Sequence, residues 1–120
     1  IRVFNHGHLE RDFTYIDDLV EGMVRTVGLF GGREVSATFN LTFGNARTIG
    51  ELAEIVKEFV PDVNLEIRDR SNDRPIRGTL SMDRANEMLG FHPKWPLEKG
   101  YRQYCEWYIG EWEKVVGSRK

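Results

Sequence analysis

Two short stretches of the sequence carry most of the side chains that could bind an anion. The first is NHGHLERDFTYIDD, residues 5–18, and the second is RDRSNDRPIRG, residues 68–78. In the first, Arg11 lies between a turn-forming loop and a β-prone segment, where its planar guanidinium could bind a phosphate through two parallel hydrogen bonds. The structural alternative is an ion pair with Asp12 or Asp17. The local sequence is compatible with both roles.

The second stretch is too polar to pack in a core, and it predicts an exposed loop around Pro75. It holds four arginines, of which Arg70, Arg74 and Arg77 could converge on a diphosphate. Alternating charge on a loop is usually only solvated, so this stretch alone is weak evidence of a site. Two arginine-bearing loops in one chain nevertheless indicate an anionic ligand.

Other chemistries have less support in the sequence. His6 and His8, with Glu10 and Asp12 close by, supply the donor types of a zinc site, but a His-Gly-His loop is more typical of a solvated turn, so we predict no metal site. The chain has no dinucleotide-binding glycine motif, no P-loop, and no Tyr followed four residues later by Lys. We therefore expect neither a catalytic residue nor a cofactor in this chain alone.

The composition predicts one domain with no affinity for nucleic acid. The 120 residues are 40% hydrophobic, which suits a single core. With 17 basic and 19 acidic side chains, the chain gives little basis for attraction to nucleic acid. The lone Cys105 and the absence of an apolar run near the ~20 residues of a membrane span predict a cytoplasmic protein without a membrane partner. Because the chain opens at Ile1 in a strand-like segment, we expect a fragment of a longer protein.

Apolar side chains at helical spacing predict two helices in the first half of the chain. The first, in DDLVEGMVRTVGLF, would be capped by Asp17 or Asp18 and end at Gly28. It would be amphipathic, with one apolar stripe formed by Leu19, Val20, Met23, Val24 and Val27. The second helix has Thr48 and Glu51 at capping-box spacing and would stop before Pro61.

Two helices and several strands complete the predicted elements. The third helix is DRANEML, closed by Gly90, and the fourth runs from Pro96 to about Val116. It would turn one face to the core or to a partner helix, formed by Leu97, Tyr101, Tyr104, Cys105, Tyr108, Trp112 and Val115. Strands are predicted in IRVFN, at residues 37–42, in NLEIRD with Leu65 and Ile67 inward, and more weakly in GTLSMD around Leu80 and Met82. This order indicates an α/β or mixed α+β domain.

Three longer stretches together resemble one known family. IRVFNHGHLERDFTYIDDLVEGM, FNLTFGNARTIGELAEIV and LSMDRANEMLGFHPKWPLEKGYRQYCEWY are similar, in this order, to the C-terminal part of the extended short-chain dehydrogenase/reductases, the NAD-dependent nucleotide-sugar epimerases and dehydratases. The opening looks most like the UDP-glucuronate and UDP-glucose 4-epimerases. The resemblance implies the substrate-binding portion of a Rossmann-type enzyme. It also implies a short strand through Phe13, Tyr15 and Ile16, and a turn steadied by Asn40.

The resemblance further implies roles in binding a nucleotide-diphosphate-sugar for Arg2, Phe4, Arg11, Arg70, Asp73 and Arg74. The backbone at Arg2 and the ring of Phe4 would contact the base, and Arg11 would bind the diphosphate. In the polar loop, Arg70 would bind diphosphate and Asp73 the ribose. Because RSNDRP departs from the Arg-x-Gly-Asp-like pattern of the 4-epimerases, Arg74 could take the phosphate instead of Arg70.

The implied function is that of one part of a larger enzyme. Residues 1–116 would form the nucleotide-sugar-binding domain and residues 117–120 a frayed tail, while NAD and the catalytic Tyr–Lys pair would belong to a missing N-terminal Rossmann part. A UDP-sugar 4-epimerase is the favoured parent, and it could form a homodimer. The alternatives are a dehydratase or decarboxylase parent, and a stand-alone nucleotide-sugar-binding or dimerisation module without catalysis.

Overall fold

A computed structural model of the chain describes residues 2–4, 7–34, 36–69 and 77–117. Its elements are β1 (Arg2–Phe4), β2 (Glu10–Arg11), α1 (Ile16–Phe30), β3 (Arg47–Thr48), α2 (Ile49–Phe59), β4 (Glu66–Arg68), α3 (Asp83–Leu89) and α4 (Leu97–Gly117). The mixed α/β fold class is confirmed, and each of the predicted helices is present.

The start of α1 differs from its prediction. Its N-cap residue is Tyr15, which makes no side-chain capping hydrogen bond, so the prediction that Asp17 or Asp18 caps this helix is wrong. Asp18 is instead 1% exposed and accepts hydrogen bonds from the backbone N–H groups of Lys94 and Trp95 at 2.8 and 3.0 Å. This carboxylate joins the first turn of α1 to the loop that leads into α4.

Helix α1 also leaves most of its apolar stripe uncovered. The predicted amphipathic helix is present, but Val24 and Val27 on its apolar stripe are 64% and 71% exposed in the described structure. Its buried positions are Asp18 and Gly22, and an added Cβ on Gly22 would meet Leu41 Cδ1 at 2.8 Å. The helix runs beyond its predicted end, Gly28, since one glycine inside a helix costs only about 1 kcal/mol.

Helix α2 agrees with its prediction at both ends. The Thr48 Oγ1 accepts the N–H of Glu51 at 3.1 Å, and the Glu51 carboxylate accepts the N–H of Thr48 at 2.7 Å, which completes the capping box. The helix ends at Phe59, before Pro61. Helix α3 likewise ends as predicted, because Gly90 takes the left-handed conformation with φ 59°.

The described strands are short and form two separate pairs. Strand β1 pairs in parallel with β4, and β2 pairs antiparallel with β3. The strands predicted at residues 37–42 and around Leu80 do not form, since no neighbouring strand in the described residues supplies their hydrogen bonds. Ile67 on β4 is 62% exposed rather than inward. The strand expected through Phe13 and Tyr15 is likewise absent, and Ile16 begins α1.

A buried hydrophobic cluster is centred on α3. Ala85, Leu89 and Phe91 are buried there, and Phe30, Phe39, Leu41 and Met82 pack against them. Residues 37–42 therefore contribute side chains to the core although they form no ladder. No helix in the described part of the chain is both long enough and apolar enough to cross a bilayer.

Helix α4 buries only the first half of its predicted face. Leu97 is buried and Tyr101 and Cys105 are half-buried, and burial raises the pKa of the Tyr101 phenol and of the Cys105 thiol. Further along, Tyr108 and Trp112 are 49% and 58% exposed and stack on each other with ring centroids 6.5 Å apart. Beyond the first turns the aromatic stripe is therefore not core, and its other predicted role, contact with a partner helix, stays a prediction.

Candidate functional site

Arg11 lies at the end of β2, opposite Arg47 in the short ladder with β3. Its side chain is half-buried, and its Nη1 donates to the carbonyl oxygen of Glu10 at 2.7 Å. Within the described ranges no carboxylate pairs with Arg11, so an ion pair with Asp12 or Asp17 is contradicted. A guanidinium has five N–H donors, and those that Arg11 does not use in this contact could bind an anion.

Arg47, directly across the ladder, is bonded differently. Its guanidinium pairs with Glu51 on α2 at 2.9 Å and with Glu98 on α4 at 2.5 Å. The hydrogen bonds that Arg47 donates to Glu98 and then to Glu51 raise the pKa of Arg47, and the same contact with Arg47 lowers the pKa of Glu98. Arg47 therefore ties three elements together, and its charge is compensated, whereas no carboxylate of residues 2–4, 7–34, 36–69 or 77–117 pairs with Arg11.

The loop at residues 43–46 contacts two segments: the one that carries Arg11, and the one around Thr79, which follows the polar stretch 68–78. Gly44 has φ 80° and donates its N–H to Asp12 Oδ1 at 3.1 Å, directly beside Arg11. Two residues further on, the N–H of Ala46 donates to Thr79 Oγ1 at 2.9 Å. The segment carrying Arg11 and the segment that follows the polar loop thus meet at the same loop.

A second contact strengthens this junction. The side-chain amide of Asn40 donates to the carbonyl oxygen of Ser81 at 2.9 Å, so Asn40 fastens a distant segment instead of a local turn. Arg77, the last arginine of the polar loop, is exposed just before Thr79. Arg70, Asp73 and Arg74 lie outside the described residues, and their predicted contacts stay predictions.

The predicted base-binding residues lie on β1. Arg2 is exposed, and its Nε donates to Glu66 Oε2 at 3.1 Å across the β1–β4 pair. Its guanidinium therefore has a structural partner, while the predicted base contact was expected from the Arg2 backbone. The backbone of Phe4 lies opposite Arg68 in the ladder, and the predicted contact of its ring with the base stays a prediction.

An aromatic groove was not foreseen from the sequence. It has a volume of about 320 Å³ and includes Phe13, Tyr15, Trp95, Tyr101 and Tyr104 in its lining. The rings of Tyr15 and Trp95 meet with centroids 4.6 Å apart. These two rings are 80 positions apart in the sequence, and the hydrogen bonds from the N–H groups of Lys94 and Trp95 to Asp18, which have no local sequence signal, join their two segments.

The described residues contain no group of three His, Cys, Asp or Glu side chains arranged to hold a metal ion. His8 is exposed, and His6 lies outside the described residues. The sequence also lacks the glycine-rich motif and the Tyr–Lys pair with which an NAD site would be built, so these residues do not fit that cofactor.

Comparison with known sequences gives relatives that act on nucleotide-sugars. The chain is 36% identical over 101 residues to UDP-glucuronic acid decarboxylase 2 of Arabidopsis thaliana, and the matched region covers 83% of this chain and 22% of that protein. It is 32% identical over 119 residues to probable GDP-L-fucose synthase 1 of Oryza sativa subsp. japonica, which covers 98% of this chain and 34% of that protein. The chain thus spans about a third or less of these relatives. No protein-family model matches it.

Solved structures have the same fold over most of the chain. An epimerase from Methanothermobacter thermautotrophicus superposes with a TM-score of 0.81 at 25% identity, covering 98% of this chain and 35% of that one. UDP-glucose 4-epimerase from Thermotoga maritima, solved with UDP-glucose, gives a TM-score of 0.80 at 24% identity and covers 94% and 36% of the two chains. MoeE5, solved with UDP-glucuronic acid and NAD, gives a TM-score of 0.80 at 22% identity, covering 92% and 37%.

Sequence and fold agree on the group of proteins that this chain resembles. The chain is homologous to the nucleotide-sugar decarboxylases, epimerases and dehydratases of the extended short-chain dehydrogenase/reductases. Its α/β fold is the one found in the Rossmann-type epimerases of that group. The resemblance inferred from the sequence motifs is thereby confirmed.

Proposed function

We propose that this chain is the part of an NAD-dependent sugar epimerase or dehydratase that binds the nucleotide-diphosphate-sugar, with a UDP-sugar 4-epimerase as the favoured parent. The observation that carries the proposal is the bonding state of Arg11. It is half-buried at the end of a ladder, and no acid within the described residues neutralises it. Relatives named for UDP-linked and GDP-linked sugars support an anionic nucleotide as its ligand.

In this proposal the chain binds the part of the ligand that does not react. Arg11 donates charge-assisted hydrogen bonds to the diphosphate, and Arg47 does not compete because Glu51 and Glu98 already engage it. Binding energy from the nucleotide can then position the sugar for the chemical step.

The remaining proposed contacts come from two other segments. Asp73 would bind the ribose, and either Arg70 or Arg74 would bind the second phosphate. On β1, the backbone at Arg2 and the ring of Phe4 would lie against the base. These contacts surround the ligand from the side opposite its reacting sugar, so the chain would set affinity for the nucleotide rather than the choice of reaction.

The NAD chemistry is assigned to another part of the intact enzyme. There NAD would act as a hydride acceptor and donor, and the catalytic groups would lie beside it, so this chain alone would be inactive. The exposed apolar face of α1, formed by Val20, Met23, Val24 and Val27, is the surface proposed to pack against that Rossmann part. A cytoplasmic location belongs to the proposal on the basis of the single cysteine.

The first experiment is a calorimetric titration of the 120-residue chain with UDP and with UDP-glucose at low salt. We expect Arg11→Ala to weaken binding by about 1.5–3 kcal/mol, the range for a hydrogen bond to a charged group. The matched control is Arg33→Ala, because Arg33 is an exposed arginine just beyond the far end of α1. A helix of 15 residues separates that end from the β2 side by about 22 Å.

Two outcomes would contradict this assignment. Equal losses in Arg11→Ala and Arg33→Ala would mean that UDP senses only the net charge of the chain. No binding by a wild-type chain that is shown to be folded would mean that the phosphate anchor does not reside in these residues.

A second candidate function, self-association, has one observation in its favour. The distal side of α4 exposes Tyr104, Trp107, Tyr108 and Trp112, which are large aromatic side chains of the kind enriched in protein interfaces. A homodimer of the intact enzyme, or a dimerisation module without nucleotide affinity, would use this side of α4. The UDP titration separates the two candidates, since only the first requires affinity for a nucleotide.

A further inference from the structure

We propose that Asp12 is a positioning residue for Arg11, an inference that rests on the anion-binding role of Arg11. Asp12 follows Arg11 directly in the chain, at the point where β2 ends. Its Oδ1 accepts the N–H of Gly44 at 3.1 Å, from a loop 32 positions away in the sequence. The end of the strand that carries Arg11 is therefore attached to the loop at residues 43–46.

Arg11 is held by the backbone on one side and by Asp12 on the other. On the first side, the ladder sets Arg11 opposite Arg47, and the carbonyl oxygen of Leu9 accepts the N–H of Ile49 at 2.9 Å. This ladder is only two residues long on each strand, and an isolated pair of strands is only marginally stable. The contact of Asp12 with Gly44 supplies the restraint where the ladder stops.

The geometry at Gly44 shows that this contact is closely fitted. Gly44 has φ 80°, and an added Cβ there would meet the Cε of Met82 at 2.6 Å. The loop therefore lies against the segment that follows the polar loop, to which Ala46 also donates its N–H at Thr79 Oγ1. By holding Gly44, Asp12 fixes the backbone of Arg11 relative to that segment.

Asp12 does not act on Arg11 through charge. The two side chains form no ion pair, and the second oxygen of Asp12, Oδ2, is buried without a hydrogen-bond partner in the described part of the chain. An unpaired buried oxygen is unfavourable, so its charge does not explain the residue. An asparagine would keep an oxygen that can accept from Gly44 and would remove the charge, which makes Asp12→Asn the variant that separates positioning from electrostatics.

Positioning matters because a long arginine side chain loses conformational freedom when it binds. Binding is tighter when the group is already held in its bound arrangement. When the backbone at Arg11 is fixed, only the torsion angles of its side chain have to change for the guanidinium to reach a phosphate. Loss of the Asp12 contact would leave the charge in place but less well ordered.

The test combines NMR relaxation of the arginine Nε–H groups with UDP titration. In Asp12→Ala we expect the Nε–H of Arg11 to lose order, while that of Arg102, which is paired with Glu58, stays unchanged. Asp12→Asn should restore the order of Arg11. UDP affinity should fall about tenfold in Asp12→Ala, and the same substitution should have no further effect in an Arg11→Ala background, because the two residues act as one unit.

Each result decides for or against the proposal. Unchanged Arg11 Nε–H order in Asp12→Ala overturns it whether or not the chain binds UDP, and so does an equal loss of affinity in both backgrounds. Order of Arg11 that depends on Asp12, in a chain that does not bind UDP, supports positioning and contradicts only the nucleotide-binding function. If Asp12→Ala does not fold, Gly44→Ala is judged by the same measurements, because it keeps the backbone donor but strains the loop at φ 80° and so displaces that donor from Asp12.

Discussion

At the residue scale, three aspartates in one short stretch have three different roles. Asp12 fastens the strand of Arg11 to Gly44, Asp18 is buried and holds the loop before α4, and Asp17 between them is exposed. The side chains are chemically identical. Their partners are backbone N–H groups far away in the chain, so the difference between them comes from the fold alone.

The buried Asp18 leads to a prediction about stability. Asp18→Ala should lower the free energy of unfolding by about 3 kcal/mol, because it removes two hydrogen bonds to a charged acceptor and leaves the N–H groups of Lys94 and Trp95 unpaired. Urea unfolding followed by tryptophan fluorescence measures this. Asp17→Ala is the control on the neighbouring exposed carboxylate and should change the stability by less than about 1 kcal/mol. Equal effects of the two substitutions would show that the buried contact is not made.

At the element scale, local signals and long-range ties both fix the position of α2. Its start is specified by the capping box of Thr48 and Glu51, which depends on only four consecutive residues of the sequence. Its place in the fold depends on Arg47, which joins β3 to Glu51 and to Glu98 on α4. Because Glu51 and Glu98 already engage Arg47, Arg11 is the arginine of the β2–β3 ladder that is available to bind an anionic ligand.

This tie predicts a pH dependence of stability. Arg47 holds the pKa of Glu98 below its ordinary value of 4.5, and a backbone hydrogen bond from Thr48, followed by Arg47, lowers the pKa of Glu51. A carboxyl whose pKa is lower in the folded state stabilises the fold above its unfolded pKa, and that contribution is lost as the pH falls through the folded pKa. We therefore expect the free energy of unfolding to decline as the pH is lowered below about 4.5.

Glu98→Gln tests the origin of this decline. The variant should cost less than about 1 kcal/mol at pH 7, as is usual for a partly exposed ion pair, and it should make the loss of stability in acid shallower. Urea unfolding at a series of pH values gives both quantities. Glu106→Gln, on the same helix but without an ion pair in the described residues, should leave the acid profile unchanged. A profile that is the same in wild type and Glu98→Gln would exclude Arg47–Glu98 as its source.

At the scale of the whole molecule, the chain is more open than a compact domain of its length. A compact domain of this size has a radius of gyration of about 14 Å, whereas that of this chain is 17.9 Å, with extents of 52 × 42 × 22 Å. The apolar faces of α1 and of distal α4 account for much of the uncovered surface. Contiguous apolar surface of this kind typically marks an interface.

We expect this surface to make the isolated chain associate. Its mass in sedimentation velocity should rise with concentration, and Tyr108→Lys with Trp112→Lys should weaken the association about tenfold or more, as for central interface aromatics. Both side chains are about half-exposed, so the substitutions should leave the free energy of unfolding nearly unchanged. Glu113→Lys is the control, since it alters charge on a different side of α4. A mass that stays monomeric at all concentrations would contradict the expectation.

The sequence by itself determined the features that depend on neighbouring residues. Helices α2 and α3 form within the predicted segments because a capping box and a C-terminal glycine act over one helical turn. The motif around Arg11 also identified a guanidinium that forms no ion pair with a carboxylate of the described residues. The helix predictions are confirmed because their physical causes are local in the chain, whereas the anion-binding role of Arg11 stays a prediction.

Only the tertiary structure decided which faces are covered and which distant groups meet. The apolar periods of α1 and α4 predicted amphipathic helices, but burial requires an opposing surface, and the described residues supply it only in part. Residues 37–42 have strand propensity without a strand partner, and Asp18, Asp12 and Gly44 find contacts that no local pattern encodes. Long-range pairing and burial depend on residues far apart in the chain, and their outcome therefore becomes visible only in the fold.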